Sequence, residues 1–155
     1  MIQPEVGTAL DYDQNGLMDV LSHDVHGVTN TWHVLLAEPN DKYTLRDTGI
    51  PRPFPLGVRP LPPMLNGAGG STHLADIDGD RVSDLIQCHD HGDSADGDPS
   101  KPVWRVHLWK PGKDGTAAGF DPEGEPIDKL AALSCAMMFF AADLNTDGKM
   151  EMVMT

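Results

Sequence analysis

Three short acidic segments at nearly even spacing restrict this chain more than any other feature. They read DYDQNGLMD from Asp11 to Asp19, DIDGDRVSD from Asp76 to Asp84 and DLNTDGKME from Asp143 to Glu151, with starts 65 and 67 residues apart. Each carries an oxygen-bearing side chain at positions 1, 3, 5 and 9. Random clustering of acids does not produce such an interval, so the chain is read first as an internal repeat. The likeness runs past the acids: Val20-Leu21, Leu85-Ile86 and Met152-Val153 follow the three segments. Polar stretches come next, His23-Asp24-Val25-His26-Gly27 in one copy and His89-Asp90-His91-Gly92 in the other.

Beyond these, Trp32-His33-Val34-Leu35-Leu36 and Trp104-Arg105-Val106-His107-Leu108 alternate as strands with one buried side. The pattern puts Trp32, Val34 and Leu36, or Trp104, Val106 and Leu108, inward. It puts His33 and His107 on the solvent face. Turns follow at Glu38-Pro39-Asn40-Asp41 and from Lys110 to Gly115, as hairpin connections would. A repeat of this length has room for about four short strands, the content of one propeller blade. The expected fold is therefore all-β, with blade-type repeats at about 1–64 and 65–130 and a partial third at about 131–155. Two blades cannot close a ring, so the chain reads as a fragment of a larger propeller whose remaining blades would be its partners. Ile50 to Gly70 carries six prolines and reads as an extended linker. Asp128 to Met138 is apolar enough for a short helix or a buried strand, and periodicity does not separate the two.

The acidic segments suit a hard divalent cation, which takes six to eight oxygen ligands in flexible geometry. The expected ligands are Asp11, Asp13, Asn15, the Leu17 carbonyl and Asp19 in the first loop. Asp76, Asp78, Asp80, the Val82 carbonyl and Asp84 serve in the second, and Asp143, Asn145, Asp147, the Lys149 carbonyl and Glu151 in the third. Gly16 and Gly148 at position 6 permit a positive φ, whereas the second loop has Arg81 there and Gly79 two residues earlier. Ten carboxylates in three loops would repel one another without a cation. The competing explanation is a set of Asx turns, in which the aspartates only satisfy backbone amides. A helix-loop-helix calcium site is set aside: it needs a bidentate Glu at position 12, where this chain has Ser22, Gln87 and Met154.

The D-x-[DN]-x-[DN]-G-x-x-[DE] loop between strands, recurring at this interval, resembles the FG-GAP/VCBS repeat family, which includes the calcium-binding blades of integrin α-subunit propellers. Asn66-Gly67-Ala68-Gly69-Gly70 is a loose equivalent of that family's Phe-Gly-x-x-Gly-Pro. Leu74-Ala75-Asp76-Ile77-Asp78-Gly79-Asp80 is similar in style to repeats of bacterial toxin-complex B subunits and rearrangement-hotspot proteins. The resemblance implies up to three Ca2+ ions and a non-enzymatic scaffold or protein- or glycan-binding module of a secreted or surface protein. An alternative reading is a wall segment of a toxin-complex-like shell.

The net charge of −13, from 24 acidic and 11 basic residues, disfavours nucleic acid and anionic membranes as partners. No apolar stretch reaches the roughly 18 residues of a membrane span. The N-terminal Met1 to Glu5 has no signal-peptide character. Cys88 and Cys135 are too few for a disulfide framework and fit no common zinc spacing. The alternative from another class is an enzyme: a zinc hydrolase built on Cys88, His89 and His91, or a non-catalytic module of a larger enzyme. No nucleophile elbow, phosphate loop or dinucleotide fingerprint is present. Trp109, opposite Trp104 in the alternation, is the expected partner-contact residue.

Overall fold

A computed structural model describes residues 7–23, 31–51, 72–89, 103–113, 115–130, 133, 135 and 139–154. The chain is all-β, and its sheets are antiparallel. β1 (Thr8–Leu10), β2 (Asp19–His23), β3 (Thr31–Glu38) and β4 (Lys42–Pro51) form one four-stranded sheet in chain order. β5 (Thr72–Ala75), β6 (Asp84–His89), β7 (Val103–His107) and β10 (Glu125–Pro126) form a second with the same order. A hairpin of β8 (Trp109–Lys110) and β9 (Gly119–Phe120) is inserted between the third and fourth strands of the second sheet. β11 (Phe139–Ala142) pairs with β12 (Glu151–Met154) as a third, two-stranded unit. The described strands close no barrel or propeller ring.

Each acidic segment is the connection of a β-hairpin: β1–β2, β5–β6 and β11–β12. The β3–β4 turn reverses through Asn40 and Asp41, both at positive φ, residue types that tolerate the left-handed region. Ile50 and Pro51 do not belong to a linker: they end β4, and Ile50 is fully buried. The rest of the proline-rich segment, with the Asn66–Gly70 stretch, lies outside the described residues, as do Asp24–Gly27 and Asp90–Gly92. Asp128–Leu130 is a 3₁₀ turn, and of the rest of the Asp128–Met138 stretch only Leu133 and Cys135 are among the described residues.

Two apolar clusters sit on opposite faces of the second sheet. Leu10, Tyr12, Leu21, Trp32, Val34 and Ile50 pack with Leu85, Trp109 and Phe120, so the first cluster lies between the two sheets. Ala75, Ile86, Cys88 and Trp104 pack with Leu130 and Cys135 in the other. As a result β6 is buried along its whole length, whereas residues 19–22 of β2 alternate between buried and half-buried. Trp32 and Val34 point inward as the alternation predicts, and Leu36 packs half-buried at the edge of the same cluster.

Three expectations about exposure are overturned, that for His107 because its strand lies between the two apolar clusters. His33 and His107 are 8% and 1% exposed instead of facing solvent. Trp109 is no contact residue for a partner: it is buried, and its indole N–H donates to the Tyr12 carbonyl at 2.7 Å. Cys88 and Cys135 form a disulfide between β6 and the segment preceding β11. That bond removes the Cys88 thiolate a zinc centre would need, and β6 buries His89. His91, the third member of that expected site, is outside the described residues.

Candidate metal centre

All three loops share one backbone design. Positive φ occurs at position 4, in Gln14, Gly79 and Thr146, and at position 6, in Gly16, Arg81 and Gly148. The second loop therefore has its glycine at the other left-handed position, leaving Arg81 at φ 73° with its side chain exposed. Arg81 does not reshape the loop. It adopts the shape its neighbours adopt with glycine.

Side-chain oxygens hold this shape by the same contacts each time. The position-1 carboxylate accepts the position-6 amide: Gly16 N to Asp11 Oδ2 (3.0 Å), Arg81 N to Asp76 Oδ2 (2.8 Å), Gly148 N to Asp143 Oδ2 (3.0 Å). Position 3 accepts the amide of position 5 in Asp13, Asp78 and Asn145. Position 5 accepts the amide of position 7 in Asn15, Asp80 and Asp147. The contacts of positions 3 and 5 are Asx turns, so that explanation accounts for part of the acids' contacts, while the position-1 bond closes the wider loop. Together they spend only part of each carboxylate's capacity, since every oxygen has two lone pairs.

Position 9 has a role that the sequence does not announce. Asp19 is fully buried; Oδ2 accepts the Tyr12 amide and Oδ1 the Ala37 amide, both at 2.7 Å. Asp84 repeats this with Ile77 N and Trp109 N, both at 2.8 Å. Each carboxylate thus clasps its own loop to backbone at the end of, or just beyond, the third strand. Glu151 accepts Leu144 N at 2.8 Å and the Asn145 amide group at 3.1 Å, which keeps the third loop's clasp within itself.

The acids converge in two of the loops. Asp11, Asp13 and Asp19 can each bring one oxygen within 4.8 Å of the others, and so can Asp76, Asp78 and Asp84. In the third loop position 3 is Asn145, so the acids there are Asp143, Asp147 and Glu151, with Lys149 adding a positive charge. Asp11 Oδ1 and Asp143 Oδ1 are buried without a hydrogen-bond partner. The corresponding Asp76 Oδ1 accepts Gly79 N at 2.7 Å. Burial pushes the Asp84 carboxyl up to about 6; the Trp109 and Ile77 amides pull against it, while the charges of Asp78 and Asp80 add to the rise. A buried acceptor with no donor and a carboxylate crowded by its neighbours both favour a cation. Leu17, Val82 and Lys149 occupy position 7 of the same loops, where their amides donate to the position-5 side chains.

The second and third loops touch. Met150 N donates to the Asp76 carbonyl at 3.0 Å, and the Lys149 stem runs across Gly79. Compared with protein-family models, with curated proteins and with solved structures, the chain matches none.

Proposed function

We propose that the chain is a non-enzymatic, calcium-binding repeat module of the FG-GAP/VCBS kind, a scaffold or protein- or glycan-binding surface of a secreted or surface protein. Its two four-stranded sheets are read as propeller-type blades and the β11–β12 hairpin as the start of a third. The observation that carries this reading is the recurrence of one loop geometry, with converging carboxylates at positions 1, 3 and 9 and an unpartnered buried Asp11 Oδ1 among them. The donors are all hard oxygens on a flexible loop, which fits calcium better than a transition metal. Asp11, Asp13, Asn15 and the Leu17 carbonyl would hold the ion in the first loop. Asp76, Asp78, Asp80 and the Val82 carbonyl would do so in the second, and Asp143, Asn145, Asp147 and the Lys149 carbonyl in the third. Asp19, Asp84 and Glu151 at position 9 would complete the three sets of ligands.

An ion in such a loop does structural work: it neutralises the carboxylates that the Asx turns draw together. Extracellular calcium saturates even weak sites of this type, and the Cys88–Cys135 disulfide suits the same oxidising compartment. The experiment is thermal unfolding in chelator, in millimolar calcium and in millimolar magnesium. An ion at about 100 times its Kd stabilises the fold by about 2.7 kcal/mol, so calcium should raise Tm clearly and magnesium much less. Identical melting in chelator and calcium would reduce the loops to Asx turns and end the calcium reading.

A further inference from the structure

One chain of polar groups crosses the apolar interface between the two sheets. The Trp32 indole N–H on β3 donates to Gln87 Oε1 on β6 at 3.0 Å. The Gln87 amide donates to the Pro51 carbonyl at the end of β4 (3.1 Å) and meets His107 Nε2 on β7 (3.0 Å). His107 Nδ1 lies 2.8 Å from the Asp121 carbonyl. A carbonyl only accepts, so Nδ1 carries the ring proton and Nε2 accepts from Gln87; the imidazole is neutral. Trp32, Gln87 and His107 are all buried to within 1%. Gly124 lies against the ring, where a Cβ would come within 2.6 Å of it.

A second proton on His107 defeats this arrangement. Nε2–H would then face the Gln87 N–H. Turning the Gln87 amide over would offer Oε1 to the imidazolium but present its NH2 to the Trp32 indole N–H. In either state two buried donors oppose each other, and an unpaired buried donor costs about 1–3 kcal/mol. His89 on β6 and Arg105 on β7 also disfavour the charged ring, and only Asp121 favours it. From the first sheet the network receives the indole of Trp32 and the carbonyl of Pro51, both uncharged.

We propose that the Gln87–His107 pair is a proton-operated joint between the two sheets: protonation of His107 breaks the Trp32–Gln87–Pro51 bridge and loosens the first sheet from the second. Tyr12 holds a separate set of contacts across the same interface, accepting the Trp109 indole N–H at its carbonyl and the Phe120 amide at its hydroxyl. The joint therefore opens on one side and stays held on the other.

Burial, the largest cause, pushes the His107 pKa down to about 4, and the hydrogen bond to Asp121 only partly opposes it. In the open state the ring returns towards the ordinary value of about 6.5. Between these values the open state binds the extra proton. The closed state therefore loses stability as pH falls from about 6.5 towards 4 and keeps it in full above. Linkage of one proton sets the limit at about a tenfold rise in the opening constant per pH unit, on the order of 100-fold from pH 6.5 to 4.5.

The test is hydrogen exchange of the indole N–H groups in the full chain between pH 7 and 4.5, corrected for intrinsic rates. Trp32 should lose protection with that slope, while Trp109, on the Tyr12 side, should keep it. In His107→Gln the new amide can still donate to Asp121 and accept from Gln87 but cannot titrate, so the Trp32 slope should vanish. This comparison cancels titrations that the two proteins share, including that of Asp84. Equal slopes in both proteins, or a flat wild type, would overturn the proposal. Should His107→Gln not fold, the wild-type ring is followed directly by NMR. A His107 midpoint well below 6.5 that coincides with loss of Trp32 protection supports the joint, and a midpoint near 6.5 with protection retained refutes it.

Discussion

The two four-stranded sheets have the same strand order and the same loop, yet they meet different surroundings. Leu74, Val82 and Leu85 of the second sheet face back onto the first and join its cluster. Their counterparts in the first sheet are Ala9, which is exposed, Leu17, which is 37% exposed, and Val20, which is half-buried. On the forward side the sheets behave alike. Trp32 reaches Gln87 of the second sheet, and Trp104 donates to the Leu133 carbonyl ahead of β11. Each unit thus hands its tryptophan to the next one along. Burial of a given repeat position is decided by its neighbours on both sides more than by the residue at that position.

The largest expected effect tests whether the second sheet depends on what covers its far face. A 47-residue separation between the bonded cysteines corresponds to about 4 kcal/mol of loop-closure stabilisation. Replacing both by alanine should lower the urea-denaturation stability by about that much, with amide protection lost first in β6 and β7. Equal early loss in β2 and β3 would break the contrast between the sheets.

Next come the clasps, where the two sheets should agree. Asp19→Ala and Asp84→Ala each strand two backbone N–H groups and should cost about 3 kcal/mol apiece by chemical denaturation. A large inequality would mean that one clasp is not what joins loop to strand. The tryptophans should differ modestly. Trp32→Phe leaves the fully buried Gln87 Oε1 without its donor and should cost about 2 kcal/mol, against about 1 kcal/mol for Trp104→Phe, which frees a part-buried backbone carbonyl. The smallest effect is a gain. Arg81→Gly removes a left-handed non-glycine residue and should stabilise the fold by about 1 kcal/mol, where Gly148→Ala should lose a similar amount.

Much of this architecture was legible in the sequence. Acid spacing located all three hairpin loops, and alternation located β3 and β7, because both signals are local. Period-2 alternation assumes one dry face, so it does not reveal the burial of His107 on β7, a strand that lies between two clusters; it carries no signal for the burial of His33 on β3 either. Trp109 is a related case: it packs in the cluster between the two sheets, on a face that alternation alone assigns to solvent. The Cys88–Cys135 bond joins residues on separate units, and spacing carries no signal for that. Within the loops, the oxygens at positions 1, 3 and 5 could be read as candidate ligands. The two-amide clasp of Asp19 and Asp84 could not, since one of each pair of donors comes from Ala37 or Trp109, remote in sequence. The exchange of glycine between positions 4 and 6 becomes intelligible only once both positions are known to need positive φ.

The covalent bond between residues 88 and 135 also governs how this molecule comes apart when cut. A protease that cleaves once anywhere between these cysteines severs the main chain but leaves both pieces attached through sulfur. The nicked product would migrate as a single species on a non-reducing gel and separate into two after reductant. Damage to the connections on that side of the second sheet is thereby contained, and the third hairpin stays tethered after the chain that delivered it has been broken.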